Sequence, residues 1–323
     1  MVMPSVRARA LLDPDFPLPL ELPFTSQQAA AAGVSRGQLS RLVRSGLVRR
    51  MIRNAYVAAQ APDTQLLRGQ ALALVVPAGC VVTDWTACWY WSGMDLPNSH
   101  LGVPPLSVFR PSDEGRLRNG LVTSGERWFR AGDTVPLTGD LAITTPLRTA
   151  CDLGRLYRPI IALGGMDALM RHAGFSRGQL VGGVEQFRRQ RGVVQLRTLA
   201  PLADGRSESM GESSLRWHWL SLTHLPAPEP QVPVTIQGIT VFRIDLGVEE
   251  LRYGAEYDGE RFHGEEHRVP DEGRRSRLSA EFGWVIDAFR RDDIYGPHET
   301  ATTRLPRGVA SARQRLARST FTS

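Results

Sequence analysis

Two short helical patterns followed by a strand-like one stand near the front of the chain. Thr25 and Gln28 have the spacing of a capping box at the head of an alanine-rich run. That box predicts a helix to about Ala32, with a break at Gly33. Ser35 and Gln38 repeat the box just past the glycine. Behind it Leu39, Leu42 and Val43 recur on one helical face, and Gly46 stands where a helix-terminating glycine belongs. Two short helices joined by a tight glycine turn form a helix-turn-helix pattern. Residues 47–57 then read as a short strand pair, where the wing of a winged helix would lie.

The middle of the chain is mixed. Residues 65–76 are apolar and helical in character, and residues 83–93 bring Trp85, Trp89 and Trp91 close together. Such a cluster suits core packing, with base stacking as the alternative. Residues 141–144 read as a strand, and Thr145-Pro146 starts a helix through Leu153. In the last third, Ser209 and Glu212 fit another capping box, and Leu215, Trp219 and Leu222 mark the buried face of the helix behind it. Three strand-like runs follow at 231–236, 240–246 and 252–258, then a helix over 272–282 and an apolar strand at 284–289. The order is helix, three strands, helix, strand.

These elements predict an α+β protein in five parts. A leader (1–21) precedes a winged helix-turn-helix (22–60) and a mixed α/β scaffold (61–205). An αβββαβ domain (206–296) and a flexible arginine-containing tail (297–323) complete it. With 323 residues, the chain is long enough for more than one core. No apolar run has bilayer length, and nothing resembling an export signal follows the first arginines. Cys80, Cys88 and Cys151 have neither disulfide-framework nor metal-site spacing, so a cytoplasmic location is expected.

Charge changes the picture more than composition does. The formal net charge is +6, and all 39 basic residues are arginine. Without lysine there is no Schiff base, P-loop or catalytic ammonium, which removes several enzyme classes. Between Arg36 and Arg53 there are six arginines and no acid. Arg36, Arg41 and Arg44 lie off the apolar stripe of the second helix, beside Gln38, where they can reach a DNA groove or its phosphates. Arg49, Arg50 and Arg53 fall in the strand pair, and Arg274 and Arg275 on a later helix are further phosphate-contact candidates. DNA is the expected partner.

Acidic residues concentrate where the αβββαβ order begins. Asp245 ends the second strand of the set, and Glu256 and Asp258, two apart on the third, share a sheet face. If those strands pair as a hairpin, Asp245 and Glu256 converge. Carboxylates held at one point repel, and burying them unpaired is costly. A hard divalent cation such as Mg²⁺ relieves that conflict.

Residues 22–58, with two capping boxes, a glycine turn and an arginine-rich strand pair, resemble the N-terminal winged-helix domain of AbiEi-type antitoxins. The order of pieces in the middle region is similar to the body of those proteins. The later element order, with Asp245, Glu256 and Asp258, resembles the PD-(D/E)XK nuclease superfamily, and more closely its very-short-patch-repair-like endonucleases. That likeness spans residues 206–291. Its carriers are Gly211-Glu212-Ser213, Ile244-Asp245, Glu256-Tyr257-Asp258-Gly259 and Phe262-His263. The resemblance implies Mg²⁺ or Mn²⁺ on Asp245 and Glu256, Glu212 as an accessory acid and His263 as a proton carrier. Ile244 replaces the motif proline and Asp258 the motif lysine.

Two functions follow as expectations. One is a DNA-binding protein with a Mg²⁺-dependent endonuclease-like domain that hydrolyses phosphodiester bonds in DNA. The other is an antitoxin-like transcriptional regulator whose nuclease fold is silent; a toxin acting on RNA or nucleotides is a third. Each acid also has a purely structural alternative. Glu212 fits the third position of its capping box, Asp245 a turn cap, and Asp258-Gly259 a turn pair. The H-x-x-E-H pattern from His263 to His267 is set aside as a zinc site, because Gly264 and the nearby Pro270 break the helix that it needs.

Overall fold

A computed structural model describes residues 11–94, 106–110, 129–259 and 265–320, with backbone alone at 265–272 and 319–320. The protein is a mixed α+β chain in two compact units, Met1–Asp152 and Leu153–Ser323. The expected scaffold of residues 61–205 is therefore divided between both units. Among the described residues no helix is long and apolar enough to cross a membrane.

The first unit begins with α1 (Ser26–Ala31) and α2 (Arg36–Arg44), each opened by the capping box its sequence predicts. Thr25 accepts from the Gln28 N–H and Ser35 from the Gln38 N–H, while both glutamine side chains accept in return. Gly46 takes φ +75°, the left-handed conformation that ends a helix without a Cβ penalty. Strands β1 (Val48–Ile52) and β2 (Ala55–Ala58) pair antiparallel around Arg53-Asn54, and Asn54 accepts from the Ser26 hydroxyl at 2.6 Å. The core under the helix pair joins Phe24, Ala29, Val34, Leu39 and Val48 to Leu12 and Leu18. Residues expected as a leader thus supply core side chains, because an isolated helix pair and hairpin bury too little apolar surface alone.

The rest of this unit is a four-stranded sheet and its covering helices. Its elements run α3 (Gln65–Val75), β3 (Val81–Val82), α4 (Asp84–Ser92), β4 (Val108–Phe109), β5 (Thr134–Thr138) and β6 (Leu141–Thr144), in sheet order β4-β3-β6-β5. Trp85 and Trp89 of α4 are buried, and the Trp91 indole donates to the Thr144 carbonyl at 2.9 Å. The tryptophan cluster is core. Helix α5 (Pro146–Leu156) spans the boundary between the units. Buried Arg148 pairs with Asp133 and Asp152.

In the second unit, α6 (Pro159–Ala173), α7 (Arg177–Gly183), α8 (Val193–Leu199) and α9 (Met210–Ser221) precede β7 (Glu229–Ile236), β8 (Ile239–Val248) and β9 (Tyr253–Tyr257). Helix α10 (Glu265–Phe282), β10 (Val285–Phe289), α11 (Arg291–Ile294) and α12 (Ala301–Thr320) follow. The sheet order is β10-β9-β8-β7, with β10 parallel to β9 and the other pairs antiparallel. Buried Arg216 of α9 pairs with Asp167 of α6, which also accepts from the Asp204 N–H at 2.7 Å.

The segment expected as a flexible tail is mostly α12. Ala301, Leu305, Val309 and Ala312 recur on one helical face and are buried with Tyr253 and Phe289 of the sheet. Arg304 pairs with Asp293 at 3.0 Å, and Arg315 donates to the Ser279 carbonyl at 2.8 Å. These arginines hold α12 to its own unit.

Candidate functional site

On α2 the apolar Leu39 faces the core, while Arg36, Arg41 and Arg44 are exposed. There is no acid on the helix to neutralise them. Gln38 is exposed too, but its carbonyl oxygen is committed to the Ser35 N–H at 2.7 Å, leaving the amide N–H groups for a ligand. Arg53 is exposed at the hairpin tip. Arg49 and Arg50 differ. Arg49 donates to the Ala61 carbonyl at 3.2 Å and lies 3.7 Å from Asp63, and burial lowers its pKa. It braces the hairpin against the segment that follows. Arg50 is half-buried on β1 opposite Tyr56.

The acidic residues converge as the strand alternation requires. β8 and β9 pair through Leu246↔Ala255, which sets Asp245 beside the Glu256 end of β9. The Tyr257 N–H donates to Asp245 Oδ2 at 2.9 Å. Glu256 is 4% exposed and Glu212 7%. Glu212 reaches the group from the first turn of α9, where Ser209 accepts from its N–H. The return half of the expected capping box is absent. The Glu212 carboxylate accepts instead from the Glu208 N–H and from the Gln231 amide, both at 2.8 Å. One oxygen of Glu212 thus links the backbone just before its own N-cap to Gln231 of β7.

Electrostatics record the crowding. Burial pushes the Glu212 carboxyl up to about 7, and the Asp245 charge adds to it against three hydrogen bonds. Burial likewise pushes Asp245 up to about 6, with Glu256 and Asp258 adding to it and the Tyr257 N–H and Arg274 opposing. Arg274 of α10 lies 2.7 Å from Glu256 Oε1, and Arg275 lies 3.6 Å from Glu256 Oε2 and 3.1 Å from Asp258 Oδ2. The two α10 arginines expected on DNA phosphates thus sit on the acids.

Four of the five expected acid-site residues, Glu212, Asp245, Glu256 and Asp258, meet in one region. The fifth, His263, lies outside the described residues, as does Phe262. Asp245 and Glu256 supply hard oxygen donors suited to Mg²⁺, which commonly binds through one or two carboxylates and keeps several waters. Among the described residues no three His, Cys, Asp or Glu side chains are grouped to cage a metal ion. A cation here would draw on that carboxylate pair.

Two contacts carry no sequence signal. Gln231 has φ +57° between Pro230 and Val232, an irregularity that turns its amide toward Glu212. At Gly211 an added Cβ would run into the Tyr257 ring, so glycine is what lets α9 approach β9. Gly211 and Tyr257 do stand in the motif stretches, but nothing local tells that they touch.

A family model described as "Transcriptional regulator, AbiEi antitoxin" matches residues 23–59, the segment holding α1, α2, β1 and β2. The N-terminal segment is thus an AbiEi antitoxin-like transcriptional regulator domain. Two relatives from strains of Mycobacterium tuberculosis, the uncharacterized proteins Rv2248 and MT2308, are each 31% identical over 284 residues. The match covers 87% of this chain and 99% of each relative.

Proposed function

This chain belongs to the family of those two mycobacterial proteins, and on that premise we propose that it is a DNA-binding regulatory protein. Its contacts come from a winged helix built of α1, α2 and the β1–β2 hairpin. The observation that carries this reading is the three exposed arginines of α2, Arg36, Arg41 and Arg44, within a regulator-type segment and unopposed by any acid on that helix. Helix α2 enters the major groove, and Arg53 at the hairpin tip contacts the backbone. Replacing Arg36, Arg41 and Arg44 together by Gln lowers affinity for DNA from the protein's own promoter region by at least about tenfold. The slope of log affinity against log salt becomes shallower by about 0.9 for each phosphate that the variant no longer neutralises. Fluorescence anisotropy over a salt series measures both. Unchanged affinity in the triple variant would remove α2 as the reading element.

One observation favours a second, enzymatic role in the same chain. Buried Glu212 and Glu256 converge with Asp245 in one region, carboxylate oxygens of the kind that a hard divalent cation takes as ligands. The reading is a PD-(D/E)XK-like site that hydrolyses DNA phosphodiester bonds with Mg²⁺ or Mn²⁺. When bound, such an ion polarises a phosphate oxygen and lowers the pKa of its water. Asp245 and Glu256 hold it, the Tyr257 N–H orients Asp245, and Gln231 and the Glu208 N–H orient Glu212. Asp258 occupies the motif lysine position paired with Arg275, so positive charge at the site comes from α10. Supercoiled plasmid is nicked with Mg²⁺ or Mn²⁺ by the wild type, and not by Asp245→Ala or Glu256→Ala. If the wild type binds DNA yet cleaves no duplex, nicked or branched substrate, the enzymatic role falls and the regulatory one stands.

A further inference from the structure

The ion pairs of α10 bear on how the acidic site takes up a cation, a question that rests on the enzymatic reading above. Both carboxylate oxygens of Glu256 face guanidinium groups. Arg274 Nη2 lies 2.7 Å from Oε1 and Arg275 Nε lies 3.6 Å from Oε2. Arg274 is anchored there by donating to the Arg243 carbonyl at 2.6 Å, at the part of β8 that leads into Asp245. Arg275 is turned mainly to Asp258, at 3.1 Å. Glu256 is buried whereas the Arg274 side chain is 32% exposed, so the arginine is the partner with room to leave.

A divalent ion on Asp245 and Glu256 needs the oxygen lone pairs that Arg274 approaches, and it adds two positive charges beside a guanidinium. Both effects oppose simultaneous occupancy. We infer that Arg274 is a built-in counter-cation that holds the place of the divalent ion at Glu256, so that metal entry requires its displacement. Arg274 is in this sense a positioning residue: it keeps the buried Glu256 carboxylate neutralised while no metal is bound. By linkage, whatever draws Arg274 away raises metal affinity, and whatever fixes it on Glu256 lowers that affinity. The phosphate backbone is an anion of the right geometry to receive a released guanidinium.

The test is calorimetric titration of the full chain with Mn²⁺ alone, without DNA. Arg274→Gln binds Mn²⁺ about fivefold more tightly than wild type, or better. Arg274→Met, which keeps the apolar stem, shows the same change, whereas Arg274→Lys, which keeps the charge, stays near wild type. Thermal melts run alongside show whether each variant is folded, and the Gln and Met variants serve as replacements for each other. Asp245→Asn abolishes the binding in either background. Wild-type binding with unchanged or weaker affinity in Arg274→Gln and Arg274→Met overturns the inference and leaves the metal site in place. Absence of binding in wild type and both neutral variants overturns the metal site and the inference together.

Discussion

Glu212 and Asp245 bind protons more tightly in the folded chain than in the unfolded one, since their carboxyls are pushed up to about 7 and about 6. Their contribution to stability is therefore fully present below about pH 4, the unfolded range, and is lost as pH rises through about 6 to 7. Asp245→Asn removes one charge from the group without removing its bulk. It raises the melting temperature at pH 8 by the equivalent of about 1–2 kcal/mol and has little effect at pH 5. Thermal melts across pH 5–8 decide the matter; a variant less stable than wild type at pH 8 contradicts it. At this scale the acids were legible because strand alternation is local: Glu256 and Asp258 sit two apart at the end of β9, and Asp245 lies on β8, which runs on to Val248 rather than ending at the acid. Gln231 was not, because its amide reaches Glu212 through a positive φ that no neighbouring residue announces. Arg49 was misplaced for a related reason. Its partners Ala61 and Asp63 come from the next segment, and they take it from the DNA-facing set.

Among the elements, α1 and α2 were readable down to their caps, since a capping box is decided within four residues. Helix α12 was not readable. Half of its buried stripe, Ala301, Leu305, Val309 and Ala312, is alanine, and Pro306 with five arginines gives the segment the composition of a tail. The stripe becomes a core face because the sheet residues Tyr253 and Phe289 meet it. Leu305→Ala accordingly destabilises the second unit by about 2–5 kcal/mol, the cost of a cavity in a packed core. Urea denaturation followed by tryptophan fluorescence measures this. A loss within about 0.5 kcal/mol, as for an exposed position, would return the segment to the status of a loose tail.

At the scale of the whole molecule, the regulator-type segment is not a detachable module. Residues 23–59 coincide with the family match, yet Met51, Ile52, Ala55 and Val57 of its hairpin belong to the core shared with α3 and the sheet of the first unit. Deleting residues 1–58 is therefore expected to unfold the first unit as well as to abolish DNA binding, whereas the triple Gln variant of α2 weakens binding by at least about tenfold and melts like wild type. Circular dichroism melts of both proteins test this; a cooperative first unit in the deletion would show that the hairpin is dispensable to that core. Short-range sequence determined the helix pair and its caps, the hairpin, the basic face of α2 and the strands that carry the acids. Each of these is settled by a few neighbouring residues, through capping, side-chain periodicity and charge. Tertiary structure alone decided that Leu12, Leu18 and the buried stripe of α12 are core, that α6 to α8 join the second unit, and that Arg274 rests on Glu256. Those outcomes depend on which surfaces meet across distant stretches of chain, and on which buried charge most needs a partner.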